Sequence, residues 1–558
     1  MSDAAVFNLI EEPWLPVRRR SGAVERIAPW SITDCIADDP FTRFAWPRPD
    51  FNGAAHEFLI GLLSTAAAAA DDDEWEDWWS APPNAAELRR KFSRVAHAFD
   101  LDGPGPRFLQ DSEPLDAAER KSVTGLLMDA PGAETLRNNA DLFVKRSERL
   151  VVGRAAAAMA LFALSSYAPS GGAGHRTSLR GGGPLTTLIV ARHREHRETL
   201  WGRLWPNVET REQIEERAVT LPSGDATRIF PWLAPTRTSN PKAGGAPTTA
   251  EDVDPRHVYW GMPRRIRLLF EPADQRRCDL TGLEDRVVVA EYRTRNYGAD
   301  YTEGFQHPLT PYYRQNAKSV VWLPRHPRPG GISYRLWPGL VVPDKSGLRL
   351  PARVVRKWRQ ERRRCASGAR FVAFGYDMDK MKARAWVEGE MPLRNLEDPA
   401  GIGPVEDFIC CAISGAASVA GLVVRAVKAA LYDRPRDASG DYGFVAERFF
   451  RDTEAEFYVA LEDATVEIER QPDIDDPTVA ARTRWASVVK RAAMRLFDEY
   501  APSEGLEHGD MLRHVRAWYF LSLALAGRGR DGRALFSDGF QIPVAAAGEI
   551  PKRGEQAT

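Results

Sequence analysis

The segment spanning residues 170–187, SGGAGHRTSLRGGGPLTT, contains the residues best suited to bind a ligand. It opens with a glycine-rich run, which we call the glycine loop (Ser170–Gly174). Glycine lets a backbone approach a ligand closely and adopt positive φ angles. Arg176 and Arg180 follow, and arginine favours anions such as phosphates or a nucleic-acid backbone. The segment therefore predicts an anion-binding loop, although the same composition is as typical of a mobile connector.

The glycine loop does not match the phosphate-binding motifs of nucleotide enzymes. A P-loop has the form G-x-x-x-x-G-K-[ST] between a strand and a helix, whereas this chain continues with His175-Arg176-Thr177. The dinucleotide fingerprint needs the same strand-to-helix context. No G-x-S-x-G nucleophile elbow occurs, and nothing around Cys35 would activate its thiol. We expect no enzymatic activity and no cofactor; a nucleotide-dependent enzyme using the glycine loop is the alternative.

The cysteines and histidines predict neither a metal site nor disulfides. The five cysteines form no C-x-x-C pair, and the ten histidines show no H-E-x-x-H spacing. The N-terminal residues lack the pattern of a signal peptide. The longest apolar stretch, 408–424, is interrupted by serine and glycine and is too short to span a bilayer. We expect a reduced, soluble, cytoplasmic protein without a membrane partner.

The overall charge is almost balanced, with 76 lysines and arginines against 77 acidic residues. Nucleic-acid-binding domains that act alone are usually basic, so such a role would depend on local patches or on a larger assembly. One patch is Pro351–Arg364, PARVVRKWRQERRR, predicted to be a helix with basic residues on nearly every turn. A solvated face is the more typical role of such a helix. The alternative is a phosphate-facing surface, as in a basic RNA-binding scaffold subunit.

The first two thirds of the chain mix helical and strand signals around the glycine loop. Residues 150–167 are alanine-rich and predict a helix that leads into the loop, and residues 185–191 predict a strand that leaves it. The Pro/Gly/Thr/Ser-rich stretch 236–255 predicts an exposed loop. Further strands are predicted at 264–269, 287–292 and 371–374.

Beyond about residue 395 the pattern becomes purely helical. Apolar residues recur every three to four positions in four long segments, 405–431, 443–464, 477–500 and 509–528. Long amphipathic helices with short connectors favour a bundle. The predicted class is therefore α+β: a large, irregular, mixed N-terminal domain (1–395), then an all-α four-helix bundle with a disordered tail (396–558).

A resemblance to a known family extends over most of the chain. The N-terminal run 7–17, FNLIEEPWLPV, closely resembles the opening of the CasA family, the large subunit of the type I-E CRISPR surveillance complex, Cascade. Further blocks keep the family's order, namely 178–182, 184–187, 264–268, 278–282, 307–311 and 375–379. The family also has a helical C-terminal bundle.

The resemblance implies a non-catalytic subunit, present once per complex, that inspects duplex DNA. Such a subunit reads a short protospacer-adjacent motif through the minor groove, helps to unwind the target and recruits the helicase-nuclease. The guide RNA supplies sequence specificity by base pairing, a division of labour also found in another effector class. The implied partners are duplex target DNA, crRNA, the other Cascade subunits and the CRISPR helicase-nuclease.

The resemblance also places the family's glycine loop on this chain. It falls on Gly171, Gly172, Ala173 and Gly174, with alanine at a position where the family has glycine. A backbone without side chains can reach base edges in the narrow minor groove, whose pattern of acceptors is degenerate. The loop is therefore expected to read a motif with some tolerance.

A second family element is a wedge that pushes between base pairs beside the motif. It falls on Asp379, Lys380 and Met381, without the glutamine that is common in the family. Unstacking a base step costs a few kcal/mol, which new contacts must offset. The resemblance favours insertion of Met381 and a phosphate or groove contact by Lys380. A surface hairpin with a solubilising lysine is the alternative.

The remaining elements are a basic finger and a docking loop. The resemblance places the finger on Arg295 or Asn296, although arginines on strands are also commonly structural. Phe143 matches the aromatic residue of a loop that docks near the crRNA 5′ end, and a core phenylalanine is the alternative. Some family members have a cysteine cluster near Cys278, of which only this cysteine is present here. No zinc site is therefore expected.

Overall fold

The computed structural model describes residues 6–141, 150–172, 174–192, 198–302, 304–361, 369–379, 381–393, 401–436, 438–470, 474–504 and 507–543. The chain forms two compact units. The first comprises Met1–Pro329, Pro351–Trp358 and Cys365–Glu390, and the second comprises Gly330–Leu350, Arg359–Arg364 and Met391–Thr558.

Helices and strands mix in the first unit, and helices dominate the C-terminal part, so the predicted α+β class is confirmed. The α-helices are α1 Pro49–Ala66, α2 Asp72–Ser80, α3 Ala85–Phe92, α4 Ala133–Arg137, α5 Arg154–Tyr167, α6 Leu200–Leu204, α7 Arg211–Glu216, α8 Ala226–Ile229, α9 Arg353–Glu361, α10 Ile402–Leu431, α11 Gly443–Asp452, α12 Glu454–Arg470, α13 Val479–Tyr500, α14 His508–Leu525 and α15 Gly529–Ala534. The strands are β1 Leu15–Arg19, β2 Val24–Ile27, β3 Phe41–Phe44, β4 Arg120–Ser122, β5 Val152–Gly153, β6 Thr186–Val190, β7 Arg265–Arg277, β8 Glu284–Arg295, β9 Tyr312–Tyr313, β10 Leu323–Pro324, β11 Arg349–Leu350, β12 Arg370–Asp379 and β13 Lys382–Pro392.

Two small sheets frame the segments that meet the glycine loop. In one, β12 pairs with β6 and β13, and Phe374 lies opposite Thr186. In the other, the long hairpin of β7 and β8 is joined by β4 and β5, and Arg265 lies opposite Arg295. The glycine loop connects the end of α5 to the start of β6, which confirms the predicted order of helix, loop and strand.

The core of the first unit forms around α1. This helix is buried on almost every side, as expected for a helix that is apolar all round. Phe58 at its centre makes edge-to-face contacts with a ring of aromatic side chains, Trp14, Phe99, Phe108, Phe162 and Trp260. Such aromatic pairs add to the area that they bury. Glu57, one residue earlier, is buried too and becomes important beside the glycine loop.

The stretch 236–255 contains no α-helix or strand, yet it is less exposed than predicted. Ser239 and Thr248 are buried. Ser239 donates its backbone N–H to the carbonyl of Tyr297 and its hydroxyl to the carbonyl of Gly298. The prediction of an exposed loop is therefore wrong for these residues, because their polar groups satisfy backbone groups that follow β8.

The predicted basic helix is α9, and the described part of it is rich in ion pairs. Arg353 binds Glu216 at 2.7 Å, and Lys357 lies 3.5 Å from the same carboxylate. Trp358 is fully buried against Trp75 and Trp79. These contacts give the helix a structural role in the first unit and disfavour a continuous phosphate-facing surface.

In the second unit, the long α10 contacts α11, α12, α13 and α14. The predicted second segment is wrong as a single helix, because the chain breaks at Thr453 into α11 and α12. The buried Thr453 hydroxyl donates to the carbonyl of Phe449 at 2.8 Å and shares a hydrogen bond with Tyr334. Threonine hydroxyls compete in this way with the helical hydrogen-bond ladder.

Helix α10 is long and apolar enough to cross a membrane by length and composition, so the expectation of too short a span is wrong for the helix itself. Two thirds of its most apolar window (67%) is buried inside the protein. Gly415 lies against the ring of Phe540, where a Cβ atom would come within 2.2 Å. These contacts are those of a core helix, and core helices can also be long and apolar enough to cross a membrane.

Candidate nucleic-acid interface

The glycine loop is a tight turn closed by its own backbone. Gly171 donates its N–H to the carbonyl of His175 at 3.0 Å and accepts the His175 N–H at 3.2 Å. Gly172 (φ +44°) and Gly174 (φ +81°) lie in the left-handed region, which only glycine adopts readily. Their N–H groups have no acceptor among the described residues. The turn therefore presents backbone donors at its tip; Ala173 lies outside the described residues.

The turn is fastened to the residues that follow β8. The N–H of Tyr297 donates to the carbonyl of Gly174 at 2.7 Å. A Cβ atom on Gly174 would lie 2.9 Å from the Tyr297 ring, so this position requires glycine for space as well as for its φ angle. The carbonyl of Tyr297 in turn accepts the Thr238 hydroxyl at 3.0 Å and the Ser239 N–H at 3.2 Å. The segment 238–239 thus braces the contact from behind.

The predicted wedge lies beside the same turn. Met381 directly precedes β13, and β12 ends at Asp379; Lys380 lies outside the described residues. Met381 has φ +69° and is 59% exposed. A non-glycine residue in this conformation costs about 1–2 kcal/mol, and such strain often marks a functional position. The Ser170 hydroxyl donates to the Met381 sulfur at 3.2 Å, so the hairpin tip contacts the glycine loop.

The two candidates for the finger differ in their partners. Arg295 is exposed and forms an ion pair with Glu113 at 3.0 Å. Asn296 is exposed, and its side-chain amide has no partner among the described residues. Asn296 immediately precedes Tyr297, whose backbone N–H binds the glycine loop. An exposed ion pair is worth at most about 1 kcal/mol, so Arg295 could exchange partners, but Asn296 is already unengaged.

The glycine loop, the end of β8 and the β12–β13 tip therefore form one continuous surface, which we call the reading surface (Gly171, Gly172, Gly174, Asn296 and Met381). Asp379 is exposed at the end of β12 beside it. Among the described residues, no group of three histidine, cysteine or acidic side chains could hold a metal ion. Phe143 lies outside the described residues, and its docking role stays a prediction.

The arginines that suggested an anion site in the sequence have other partners. Arg180 is only 4% exposed; it forms an ion pair with Glu57 and donates to the Thr186 hydroxyl at 2.9 Å. Arg176 binds Asp300 at 3.1 Å. The expectation that Arg180 contacts a ligand is wrong, because a buried guanidinium needs its carboxylate partner within the fold.

A cation that the sequence reasoning did not single out lies under the turn instead. Arg264 donates from Nη2 to the carbonyl of Pro169, and its Nη1 would lie 3.8 Å from a Cβ atom on Gly171. No described carboxylate pairs with it. Burial lowers the pKa of Arg264 to about 10. Arg264 directly precedes β7, whose first residue is the acid-paired Arg265, and no sequence signal distinguished the two arginines.

The imidazole of His175 shares this neighbourhood. Burial is the main cause that lowers the pKa of His175 to about 4, and the positive charges of Arg264 and Lys121 lower it further. The ring is therefore neutral at physiological pH, as a hydrogen-bonding group rather than a cation. Lys121 is exposed on β4 and has no partner among the described residues.

Solved structures share this fold along almost the whole chain. The chain superposes on Thermobifida fusca Cse1 with a TM-score of 0.66 at 19% identity, covering 97% of this chain and 99% of that chain. For Thermus thermophilus CasA (Cse1) the values are 0.64, 17%, 93% and 99%. For a chain of a structure described as a CRISPR RNA-guided surveillance complex they are 0.64, 16%, 93% and 99%. The fold is thus that of Cse1/CasA proteins.

The family match is equally extensive. A family model described as CRISPR-associated protein Cse1 matches residues 8–496 of the 558. The chain therefore belongs to the Cse1 family of CRISPR-associated proteins. The resemblance to the CasA family drawn from residues 7–17 and the later blocks is confirmed.

Proposed function

We propose that this chain is the non-catalytic large subunit of an RNA-guided surveillance complex and reads a protospacer-adjacent motif through the DNA minor groove. Its partners are the duplex target, crRNA and the other subunits of the complex, and the helicase-nuclease that it recruits. One copy acts in each complex, in the cytoplasm. Membership of the Cse1 family supports the assignment to the complex.

The observation that carries the motif-reading role is the convergence of three distant segments on one reading surface. The Gly174–Tyr297 and Ser170–Met381 contacts join them. The minor groove presents acceptors at every base pair, adenine N3 and thymine O2 among them. The N–H groups of Gly172 and Gly174 and the amide of Asn296 are donors of matching polarity. Donors at a narrow tip therefore suit this groove.

Met381 supplies the second part of the task, the opening of the duplex. Apolar side chains inserted between base steps unstack them at a cost of a few kcal/mol. Met381 is apolar, exposed at a hairpin tip and held beside the donors by Ser170. In our proposal, contacts of the glycine loop with the motif offset the unstacking, so that motif recognition and strand separation are coupled.

The rival functions lack a comparable observation. A nucleotide-dependent enzyme would need the glycine loop to open a helix, and here it leads from α5 into β6. A basic RNA-binding scaffold would need a free cationic face on α9, whereas Arg353 and Lys357 bind Glu216.

The test is reconstitution of the complex with and without this chain, with fluorescence-anisotropy measurement of binding to a target duplex that carries or lacks the flanking motif. Binding is expected to require both the chain and the motif. Met381→Ala should weaken binding to the closed duplex by at least tenfold and leave binding to a pre-opened bubble unchanged.

The matched control is Leu221→Ala, which truncates another exposed apolar side chain of the same unit. It should leave both affinities unchanged. Motif-independent binding by the complete complex would refute the proposal, as would equal losses on the duplex and the bubble for Met381→Ala.

A further inference from the structure

We propose that Arg264, His175 and Lys121 form a phosphate site at the base of the glycine loop, which binds one backbone phosphate of the DNA duplex beside the motif. The inference rests on the proposed function and deepens it, because it names the chemical group that fixes the depth of the loop in the groove. No residue of the reading surface itself is part of the site.

The unpaired guanidinium of Arg264 is the first observation. Its only hydrogen bond within the described residues goes to the carbonyl of Pro169. Its Nε is enclosed without an acceptor, and Nη1 faces Gly171. An enclosed charge without a counter-charge is unfavourable. An anion from outside the chain would supply both the missing charge and the missing acceptor.

The second observation is the neighbourhood of His175. The backbone of His175 closes the glycine loop through Gly171, which places the residue at the base of the turn. His175 and Arg264 both lie against Gly171, where a Cβ atom would meet the His175 Cβ at 3.6 Å and the Arg264 Nη1 at 3.8 Å. Burial lowers the pKa of His175, and the positive charges of Arg264 and Lys121 lower it further. A neutral imidazole has one N–H group, which can donate a hydrogen bond to a phosphate oxygen.

Lys121 completes the site from β4. It lies opposite Tyr292 in the register of β4 and β8, next to the residues that lead to the reading surface. Its ammonium group has no partner among the described residues, whereas the adjacent Arg120 binds Glu291 at 3.4 Å. Lysine binds phosphate as a mobile point charge. The neighbouring pair therefore offers one unengaged cation and one engaged cation on the same strand.

The location suits a backbone phosphate. The minor groove is about 6 Å wide and is flanked by the two sugar-phosphate strands. A loop whose tip reaches base edges brings its base close to one of these strands. Phosphate contacts carry no sequence information but set register and orientation. The site would thus hold the loop at a fixed depth while the tip reads the bases.

The experiment uses the assembled complex and a motif-bearing duplex at 50–200 mM salt, roughly the range over which phosphate contacts are best resolved. Lys121→Gln should weaken binding about tenfold at the lowest salt. The plot of log affinity against log salt should become shallower by about 0.9, the value for one lost phosphate contact. Arg120→Gln is the matched control and should change neither quantity.

A second measurement identifies the phosphate. Uncharged methylphosphonates are placed one at a time along both flanking strands. One position should weaken wild-type binding about tenfold, weaken binding by Lys121→Gln or Arg264→Gln less, and have no further effect on the double variant, because both charged contacts are already lost there.

The outcomes separate the two proposals. If wild-type binding depends on the motif but no single methylphosphonate is silent in the double variant, the phosphate site is refuted and the proposed function stands. An unchanged salt dependence for Lys121→Gln refutes it as well. If wild-type binding ignores the motif, the proposed function itself fails.

Discussion

Two enclosed arginines near the glycine loop have opposite surroundings. Arg180, in the core, forms an ion pair with Glu57 and shares Thr186 with that carboxylate. Arg264, at the base of the loop, has a backbone carbonyl as its only described hydrogen-bond acceptor. A buried charge with its counter-charge in the fold belongs to the fold. A charge without one indicates where a ligand could supply it, although both residues look alike in the sequence.

The largest expected effect separates these two arginines. Arg180→Gln leaves Glu57 buried without its partner and should lower the free energy of unfolding by about 3–5 kcal/mol. Arg264→Gln removes a charge that leaves no carboxylate behind, so stability should change by less than about 1 kcal/mol while duplex binding weakens. Urea denaturation followed by tryptophan fluorescence measures the first quantity. Equal destabilisation by both variants would erase the distinction between core and loop.

The pH dependence of the free energy of unfolding tests the core side of this comparison on a buried histidine. Burial lowers the pKa of His257 to about 4, and its ring bonds Ile229 and Tyr301. Between pH 6.5 and 4 the unfolded state binds the extra proton, so stability should fall as the pH falls through this range. The loss approaches about 3 kcal/mol. His257→Gln should flatten the dependence by that amount, as measured by urea denaturation at pH 4.5 to 7; an unchanged curve would contradict the assignment.

Glycine substitutions sharpen the contrast within the loop. Gly174→Ala places a methyl group 2.9 Å from the Tyr297 ring at φ +81° and should lower the melting temperature by several degrees. Gly172→Ala meets no atom within 4 Å and should cost only about 1 kcal/mol of backbone strain, yet in the proposed function its methyl group would enter the groove. Both should weaken motif-dependent binding about tenfold in anisotropy titrations.

Gly224→Ala is the control for these variants, because its Cβ atom also meets open space and its φ angle is ordinary. It should affect neither melting nor binding. Retention of full motif-dependent affinity by Gly172→Ala would exclude its backbone from the reading surface.

The smallest expected effect concerns Asp379. Its carboxylate lies at the end of β12 beside Met381 and should repel DNA phosphates weakly. Asp379→Asn should tighten duplex binding about two- to threefold at 50 mM salt and leave it unchanged at 300 mM, because screening removes the repulsion. Asp274→Asn, at an exposed position on the β7–β8 hairpin, should have no effect. A salt-independent gain for Asp379→Asn would point to a change of conformation instead.

The sequence predicted those features that depend on local patterns. The alanine-rich helix α5 and the strand β6 follow from periodicity, and the glycine loop between them follows from composition. The partners of Arg180 and Arg264 could not be predicted in this way, because Glu57 and Pro169 lie 123 and 95 residues away in the chain. The break at Thr453 was missed for the same reason, since Tyr334 is 119 residues distant.

The residues of the candidate site also divide into those that local sequence placed and those that only distant contacts revealed. Resemblance to the family placed Gly172, Asn296 and Met381 by local alignment, and their roles stay predictions. Arg264 belongs to the block 264–268, which supported the resemblance to the family but was given no role in binding. Its position under the loop became evident only from the contacts of Pro169 and Gly171.

The brace behind the glycine loop also bears on how motif preference could diverge between related proteins. The Gly174–Tyr297 and Tyr297–Ser239 hydrogen bonds join main-chain atoms, so they do not depend on the side chains at the exposed tips. In the proposed function, a substitution at Asn296 would alter which bases are accepted while this main-chain frame stays the same. On that proposal, such a subunit would follow changes in invading DNA through single point mutations, without refolding the region that presents the mutated side chain.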